Sequence, residues 1–379
     1  MSQANNSFLF LSANTPWVYA LSESLAAKSP VHAVRFYDWQ TYWTQQPSWP
    51  EIPAEIDLRQ TMKVMPTGYA GLAEPLVRPY AQFLLKRWQR TLEEQTGTRP
   101  WVIAPYFYLA PWVTRAVPPD RLVYYNLDDY TLYRPERAET IQAQEGDLVE
   151  HAAHTICLSQ YQVEALQRGY SAQEETIHHF PLGVDERYIN PNLGQAPRPN
   201  TVGYVGNLSD RVDWNLVYHV AQSMPDTTFV FAGSANVEDP MPAWKETRAA
   251  TFSLPNVNHL GRIPQEEVTD VYWSCAVNWI PYVPDHPFNR ASCPTKIMDA
   301  IASGRPVVST PVPECTLYPE WIRVVDSVED AVDTLKDAMQ TSDIENRRKQ
   351  AAFAHRQTWD HRARELQNIL DDKHVYRSS

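Results

Sequence analysis

The stretch PTKIMDAIASGRPVVST, residues 294–310, predicts an α-helix that leads directly into a β-strand. Pro294 suits the first position of a helix, because its φ angle is helical and it has no N–H group to leave unpaired. Gly304 is typical of a helix C-terminus, and the β-branched Val307 and Val308 favour a buried strand. A helix near 294–303 followed at once by a strand is a unit of an α/β fold.

The same alternation of short apolar runs and helical patterns extends along both halves of the 379-residue chain. This length exceeds one core of the usual size, so we expect two domains. The segment NPNLGQAPRPN at 190–200 is rich in proline and asparagine and separates the two series. The sequence therefore predicts an α/β protein with two Rossmann-like, doubly wound domains facing across a cleft, at 1–190 and 201–355, joined by a linker at 191–200.

The predicted strands lie at 8–11, 31–37, 101–104, 122–125, 155–158, 201–205, 228–232, 257–260, 276–280, 307–309 and 322–324. The predicted helices lie near 16–27, 75–94, 137–152, 160–168, 213–223, 265–273, 294–303, 328–340 and 343–371. Residues 40–65 are rich in proline and tryptophan and show no assignable pattern.

Composition excludes several classes of protein. A net charge of -12 argues against nucleic acid as the main partner, because such proteins usually carry a basic face. The four cysteines form no C-x-x-C pair, which suits a reducing cytoplasm. No apolar run approaches 18 residues and the N-terminus lacks a signal-peptide pattern. We therefore expect a cytoplasmic protein that contacts a membrane at most peripherally.

The common phosphate-binding motifs are missing. Residues 203–207, GYVGN, follow a predicted strand but do not form G-x-G-x-x-G, and no G-x-x-x-x-G-K-[ST] motif occurs. The sequence thus argues against a dinucleotide oxidoreductase and against a P-loop enzyme.

Lys296 and Asp299 are three residues apart and should share one helix face near the helix N-terminus. A lysine there opposes the helix dipole unless an anion also binds. One interpretation is that Lys296 holds a diphosphate while Asp299 accepts hydrogen bonds from a ribose diol. The alternative is a surface ion pair on an ordinary helix.

Four segments together resemble the nucleotide-binding domain of GT-B glycosyltransferases: GYVGNL at 203–208, FVFAGS at 229–234, the run from 254 to 282, and 294–310. The resemblance is particularly to bacterial surface-polysaccharide enzymes, glucuronosyltransferase-like or family 4-like, and it covers about residues 100–370. It implies an N-terminal acceptor domain, a C-terminal nucleotide-sugar domain and a C-terminal helix at 356–379 that returns to the N-terminal domain. The implied activity is that of a hexosyltransferase in polysaccharide biosynthesis.

The resemblance also implies a donor site. Lys296 matches the diphosphate-binding lysine, and Asp299 stands where relatives generally have a glutamate on the ribose. In many retaining members another glutamate lies eight residues earlier, where this chain has Ala291, so we expect inversion. The implied donor-binding residues are Gly206, Asn207, Gly233, Ser234, Arg262, Ile263, Tyr282, Pro294, Thr295, Lys296 and Asp299.

An inverting transferase needs a general base, which the N-terminal domain would supply. Asp128 and Asp129 follow the predicted strand 122–125 at its carboxyl end, and adjacent carboxylates raise one another's pKa. They are our candidate catalytic residues, with Asp128 preferred. The alternative is that the pair only caps the next turn.

No D-x-D motif is present, so we expect no metal and no cofactor besides the donor substrate. Lys296 and helix N-termini would then stabilise the leaving diphosphate. The stretch 76–92 combines apolar positions at helical spacing with Arg78, Lys86, Arg87 and Arg90, and it also contains Trp88. Such a helix can lie on an anionic membrane, where a lipid-linked acceptor is found; the alternative is a packed domain helix.

The sequence thus predicts a metal-independent, inverting glycosyltransferase that uses a nucleotide diphosphate sugar and a glycan or glycolipid acceptor. Three alternatives remain open: a retaining GT-B transferase, a GT-B-fold sugar-nucleotide epimerase, and a non-catalytic nucleotide- or glycan-binding protein.

Overall fold

The structure is a computed structural model, and it describes residues 6–170, 174–235, 242–341 and 343–371. The chain forms two compact units. One holds the chain up to Gly183 together with the last helix, which begins at Trp359, and the other holds Val184–Thr358.

The first unit has a seven-stranded parallel sheet in the described residues, in the order β3-β2-β1-β4-β5-β6-β7. Its strands are β1 (Phe8–Phe10), β2 (Val31–Asp38), β3 (Leu58–Met65), β4 (Trp101–Ala104), β5 (Leu122–Asn126), β6 (His154–Cys157) and β7 (Ile177–His179). Its helices are α1 (Pro16–Ala26), α2 (Trp39–Gln45), α3 (Glu74–Thr96), α4 (Ala110–Ala116), α5 (Tyr130–Tyr133), α6 (Ala138–His151), α7 (Gln160–Gly169) and the last helix, α16 (Trp359–Asp371).

The second unit has a six-stranded parallel sheet in the described residues, in the order β10-β9-β8-β11-β12-β13. Its strands are β8 (Thr201–Val205), β9 (Thr228–Ala232), β10 (Val257–Gly261), β11 (Val277–Ile280), β12 (Val307–Ser309) and β13 (Ile322–Val324). Its helices are α8 (Trp214–Ser223), α9 (Pro242–Phe252), α10 (Val268–Ser274), α11 (Pro287–Ala291), α12 (Thr295–Ala302), α13 (Pro313–Thr316), α14 (Val328–Thr341) and α15 (Ile344–His355).

Both sheets are Rossmann-like, as predicted. The strand order reverses beside the first strand of each unit, between β1 and β4 and between β8 and β11. Open parallel sheets bind ligands at such switch points, outside the carboxyl ends of the strands. The central strands β1 and β4 are apolar throughout and buried, as expected for a parallel sheet that is covered on both faces.

The division of the chain lies between Gly183 and Val184, before the predicted linker at 191–200. The segment after this point packs on the second unit. The Asn190 amide donates a hydrogen bond to the Ser303 carbonyl at 3.1 Å, and the Arg198 N–H donates to the Ser274 carbonyl at 2.8 Å. The polar composition of 191–200 therefore marks a surface segment of the second unit.

The structure assigns one region that the sequence left open, and it corrects two local expectations. Residues 40–65 contain most of α2 and all of β3. The sequence of β3 has no clear strand pattern because β3 is an edge strand that is buried only at its two ends. The predicted helix 343–371 is wrong, since it breaks between α15 and α16, where Thr358 bridges to Val184. Pro294 precedes α12 as its N-cap and is not its first helical residue.

The last helix packs on α1 in the first unit, as the resemblance implies. Its first residue, Trp359, occupies space that Gly183 leaves open, because a Cβ atom on Gly183 would lie 2.6 Å from the indole. Leu366 is completely buried and the Arg362 guanidinium lies 6.0 Å from the centre of the Phe180 ring. Within the described residues, no helix has the length and apolar character needed to cross a membrane.

Candidate functional site

The candidate site lies at the carboxyl edge of the second sheet. Gly206 directly follows β8 and Gly233 directly follows β9, while Lys296 lies in the first turn of α12. Because the strands are parallel, their carboxyl ends meet at one edge, and residues far apart in sequence come together there.

Two glycines allow the backbone to approach Lys296. Gly206 and Gly233 have φ angles of 142° and 153°, which residues with a side chain rarely adopt. A Cβ atom on Gly206 would lie 2.8 Å from the Lys296 Nζ, and one on Gly233 would lie 1.8 Å from the Gly206 carbonyl oxygen. Both positions therefore require glycine for this edge to keep its shape.

Lys296 is half-buried and faces two tyrosines. Its ammonium donates a hydrogen bond to the Tyr282 hydroxyl and lies 4.6 Å from the centre of the Tyr282 ring and 5.2 Å from that of Tyr204. An ammonium has three N–H donors, and the ring faces add cation–π attraction. The side chain is thus held in place while donors remain for a ligand.

Arg211 is a second cation at the same edge, which the sequence reasoning missed. Its guanidinium lies 5.3 Å from the centre of the Tyr282 ring. Nε donates to the Asn289 Oδ1 and Nη2 donates to the Ser292 Oγ, both at 2.7 Å. Arg211 lies in the short loop between β8 and α8, and this position after a predicted strand is the sequence feature that could have identified it.

The two cations change the acidity of Tyr282. Burial by itself raises the pKa of this phenol, but the positive charges of Lys296 and Arg211 outweigh burial and the pKa lies below its ordinary value. Burial raises the pKa of the neighbouring Tyr204 well above the ordinary value. Lys296 and Arg211 both lie against the Tyr282 ring, so this edge carries local positive charge that favours an anion.

Asp299 lies on α12, one turn after Lys296, and is half-buried. Burial raises its pKa to about 7; Lys296 opposes the shift and Asp185 adds to it. No group in the described residues donates a hydrogen bond to its side-chain carboxyl group. Such a carboxyl group can accept hydrogen bonds from a ligand.

The structure brings some of the other predicted donor-site residues to this edge. The Asn207 carbonyl accepts a hydrogen bond from the Tyr204 hydroxyl at 2.9 Å, and the Ser234 carbonyl accepts one from the Leu208 N–H at 3.0 Å. Thr295 is exposed at the start of α12, next to Pro294.

Arg262 and Ile263 directly follow β10. Arg262 is exposed, whereas Ile263 packs beside Val230 and lines a cavity of about 260 Å³ with residues of α10. The prediction for these two residues concerns their backbone at the nucleotide base, and it stays a prediction.

Asp128 and Asp129 lie in the first unit, just after β5. Asp129 is the N-cap of α5, where its carboxylate accepts hydrogen bonds from the Thr131 N–H at 3.0 Å and the Thr131 hydroxyl at 2.5 Å. Asp128 accepts from the Tyr133 hydroxyl at 2.6 Å and from the Asp129 N–H at 2.9 Å. The capping alternative thus holds for Asp129, and the catalytic role of the pair stays a prediction.

Comparison with known proteins gives three kinds of likeness. A family model described as glycosyl transferase-like matches residues 211–368. TuaH of Bacillus subtilis (strain 168), assigned to teichuronic acid biosynthesis as a glycosyltransferase, is 25% identical over 185 residues, which are 47% of this chain and 45% of TuaH. The match thus spans less than half of that relative.

Solved structures of low identity share the fold over almost the whole chain. HepE of Anabaena, in complex with UDP and glucose, has a TM-score of 0.65 at 15% identity over 97% of this chain and 99% of its own. Sucrose-phosphate synthase of Thermosynechococcus elongatus has a TM-score of 0.66 at 16% identity, over 96% of this chain and 98% of its own. The two Rossmann-like units thus have the GT-B fold of these structures, and the segment 211–368 is similar to the glycosyl transferase-like family.

Proposed function

We propose that the chain transfers a sugar from a nucleotide diphosphate sugar to a hydroxyl group of a glycan or glycolipid acceptor, with inversion and without a metal ion. The observation that carries the proposal is the Lys296 ammonium, which lies against the Gly206 backbone at the carboxyl edge of the second sheet. Parallel α/β sheets bind ligands at such an edge, and a positioned cation suits a diphosphate.

The donor class is supported by the residues and by a relative. HepE has been crystallised with UDP and with UDP-glucose. In this chain, Lys296 and Arg211 would hold the diphosphate, because both cations face Tyr282 at one edge. Asp299 would accept hydrogen bonds from the ribose hydroxyls, since its carboxyl group has acceptor capacity to spare.

Metal independence is supported by the same two cations. Negative charge develops on the leaving diphosphate as the bond to the sugar breaks. Arg211 is held by Asn289 and Ser292, and Lys296 is held by Tyr282, so both charges are oriented before the reaction begins. Positioned charges of this kind lower the barrier without reorganising during the reaction.

Inversion is supported by Ala291 and by Asp128. Ala291 is buried at the end of α11 and offers no carboxylate at the position where many retaining relatives have glutamate. Asp128 would deprotonate the acceptor hydroxyl. Its carboxylate accepts hydrogen bonds from the Tyr133 hydroxyl and from the Asp129 N–H, whereas the Asp129 carboxylate caps α5.

The test is a turnover assay on a donor chosen by binding. Nucleotide sugars are ranked by thermal shift, and the best binder is incubated with and without glycan and glycolipid acceptors. We expect release of the nucleotide diphosphate to require an acceptor, and NMR to show an inverted anomeric centre in the product. Conversion of the donor sugar without acceptor would indicate an epimerase, a retained anomer would indicate a retaining transferase, and binding without turnover would indicate a non-catalytic protein.

A further inference from the structure

One face of α3 exposes large apolar side chains. Leu72, just before the helix, is fully exposed, and the exposed fractions of Leu76, Tyr80 and Phe83 are 86%, 51% and 60%. Leu76, Tyr80 and Phe83 recur every three or four positions and lie on one face of α3; together with Leu72 we name them the α3 stripe. Trp88, which the sequence analysis included in a membrane-facing helix, is buried in the core instead. The exposed row is therefore not required by the packing of the first unit.

The stripe continues into a row of cations. Lys86, Arg87 and Arg90 are exposed, and none of them makes an ion pair within the part of the chain that the structure describes. The chain as a whole carries a net charge of -12, so this clustering runs against its overall charge. A surface that joins apolar side chains to unpaired cations complements an anionic surface with an apolar interior.

Two further exposed aromatic side chains lie on α2, which follows the neighbouring strand of the same sheet. Trp39 and Trp43 on α2 are 60% and 72% exposed. Asp38, at the end of β2, pairs in register with Met65 at the end of β3. The α2 helix and the turn that contains Leu72 therefore begin at the same edge of the sheet. Tryptophan is enriched where protein meets the headgroup region of a bilayer.

We propose that the α3 stripe, Lys86, Arg87, Arg90 and the exposed tryptophans of α2 dock on an anionic lipid bilayer. From Leu76 to Arg90 the helix extends about 21 Å, so it can lie flat along the surface. Apolar side chains enter the acyl boundary while the cations meet headgroup phosphates. Provided that the proposed function holds, docking brings the carboxyl edge of the first unit to a lipid-linked acceptor.

The experiment measures sedimentation of the full chain with vesicles, in the absence of donor and acceptor. One set is pure phosphatidylcholine, and the other contains equal parts of phosphatidylcholine and phosphatidylglycerol. We expect binding to the anionic set only. Replacing the three cations with glutamine should lower the partition coefficient on the order of a hundredfold. The pair Leu76→Ser and Phe83→Ser should lower it about tenfold or more.

Matched variants in the second unit serve as controls. Arg348→Gln with Lys349→Gln removes two exposed cations of α15, and Leu317→Ser with Ile344→Ser removes two exposed apolar side chains. We expect both control pairs to bind vesicles like the wild type. Equal binding to both vesicle sets, no binding at all, or equal losses in the controls would overturn the proposal.

Two further measurements separate the alternatives. Analytical ultracentrifugation of the protein alone tests whether a second copy covers the stripe. If the wild type is a dimer and the double variant Leu76→Ser, Phe83→Ser is a monomer, the stripe is a dimer interface and lipid docking is rejected. Turnover on a water-soluble acceptor should be unchanged in the stripe variants. If the wild type turns over the soluble acceptor but does not bind vesicles, the docking proposal fails. If the wild type binds vesicles but shows no turnover with any acceptor, the proposed function fails.

Discussion

Lys296 is the residue on which the donor proposal depends most. Lys296→Ala removes a charge-assisted hydrogen bond, so we expect binding of a nucleoside diphosphate to weaken by about 1.5–3 kcal/mol. Isothermal titration calorimetry measures this directly. Lys349→Ala, which removes an exposed cation of α15, is the control and should leave the affinity unchanged. Equal affinity in the wild type and in Lys296→Ala would contradict the assignment.

The aspartates at 128 and 129 can be separated because their contacts differ. Asp128→Asn should reduce turnover about 100- to 10,000-fold, the usual cost of losing a general base, while the melting temperature changes little. Asp129→Ala should reduce stability by about 0.5–2 kcal/mol through loss of the α5 cap, and Asp129→Asn should keep the cap because asparagine is an equally good N-cap. Steady-state kinetics and thermal unfolding are measured on all three variants. If folded Asp128→Asn keeps more than about a tenth of wild-type turnover, another group is the base.

Asp299 makes the stability of the ligand-free protein depend on pH. Its pKa is about 7 in the folded protein, where it faces Lys296, Asp185 and Arg187, and near the ordinary 3.8 when unfolded. Between these values the folded form holds a proton that the unfolded form releases, so the free energy of unfolding falls as pH rises from about 4 to 7. The full effect is up to roughly 4 kcal/mol.

Asp299→Asn removes this titration. We expect the difference in unfolding free energy between the variant and the wild type to grow in favour of the variant from pH 4 to pH 7 and to level off above that. Urea unfolding across this range provides the measurement. Parallel pH profiles for the two proteins would show that the Asp299 pKa is not raised.

At the scale of elements, α16 links the end of the chain to the first unit. Leu366→Ala should destabilise that unit by about 2–5 kcal/mol, because the side chain is completely buried. Removing residues 359–379 should destabilise the first unit further, since the contacts of α16 with α1 are then lost.

Hydrogen exchange of the amides of β1, β4 and β5 reports on the stability of the first unit. Leu335→Ala in α14 is the control, and it should affect amides of the second unit instead. Unchanged exchange in the first unit after truncation would argue against this role of α16.

The elements that the sequence predicted well are those with both faces covered. β1 and β4 are central strands whose residues are apolar without interruption, so they stand out from the surrounding helices. β3 lies at a sheet edge and carries Arg59 and Lys63, so it has no such run. Edge strands are buried on fewer sides, and their sequences are correspondingly less constrained.

At the scale of the whole molecule, the proposed chemistry needs no metal. Turnover should survive an excess of EDTA within about twofold if, as proposed, Lys296 and Arg211 stabilise the leaving diphosphate. Activity is measured before and after chelation, and again after addition of Mg²⁺ or Mn²⁺. A chelated enzyme that is inactive and recovers with either ion would contradict metal independence.

The sequence by itself determined the α/β class, the two series of parallel strands and the importance of the segment 294–310. These features follow from apolar periodicity and from helix-end residues, which act over a few positions along the chain. Lys296 and Asp299 could be singled out for the same reason, because their relation is fixed by one helix.

Only the tertiary structure decided which residues surround Lys296 and which faces remain exposed. Arg211 and Tyr282 are 71 residues apart in sequence, and the arrangement of β8 and β11 brings them together. Likewise, the sequence pattern of α3 could not tell that Trp88 is buried while Leu76 and Phe83 are exposed. The physical reason is that burial depends on which face of a helix packs against the sheet, and that choice is made by contacts between distant segments.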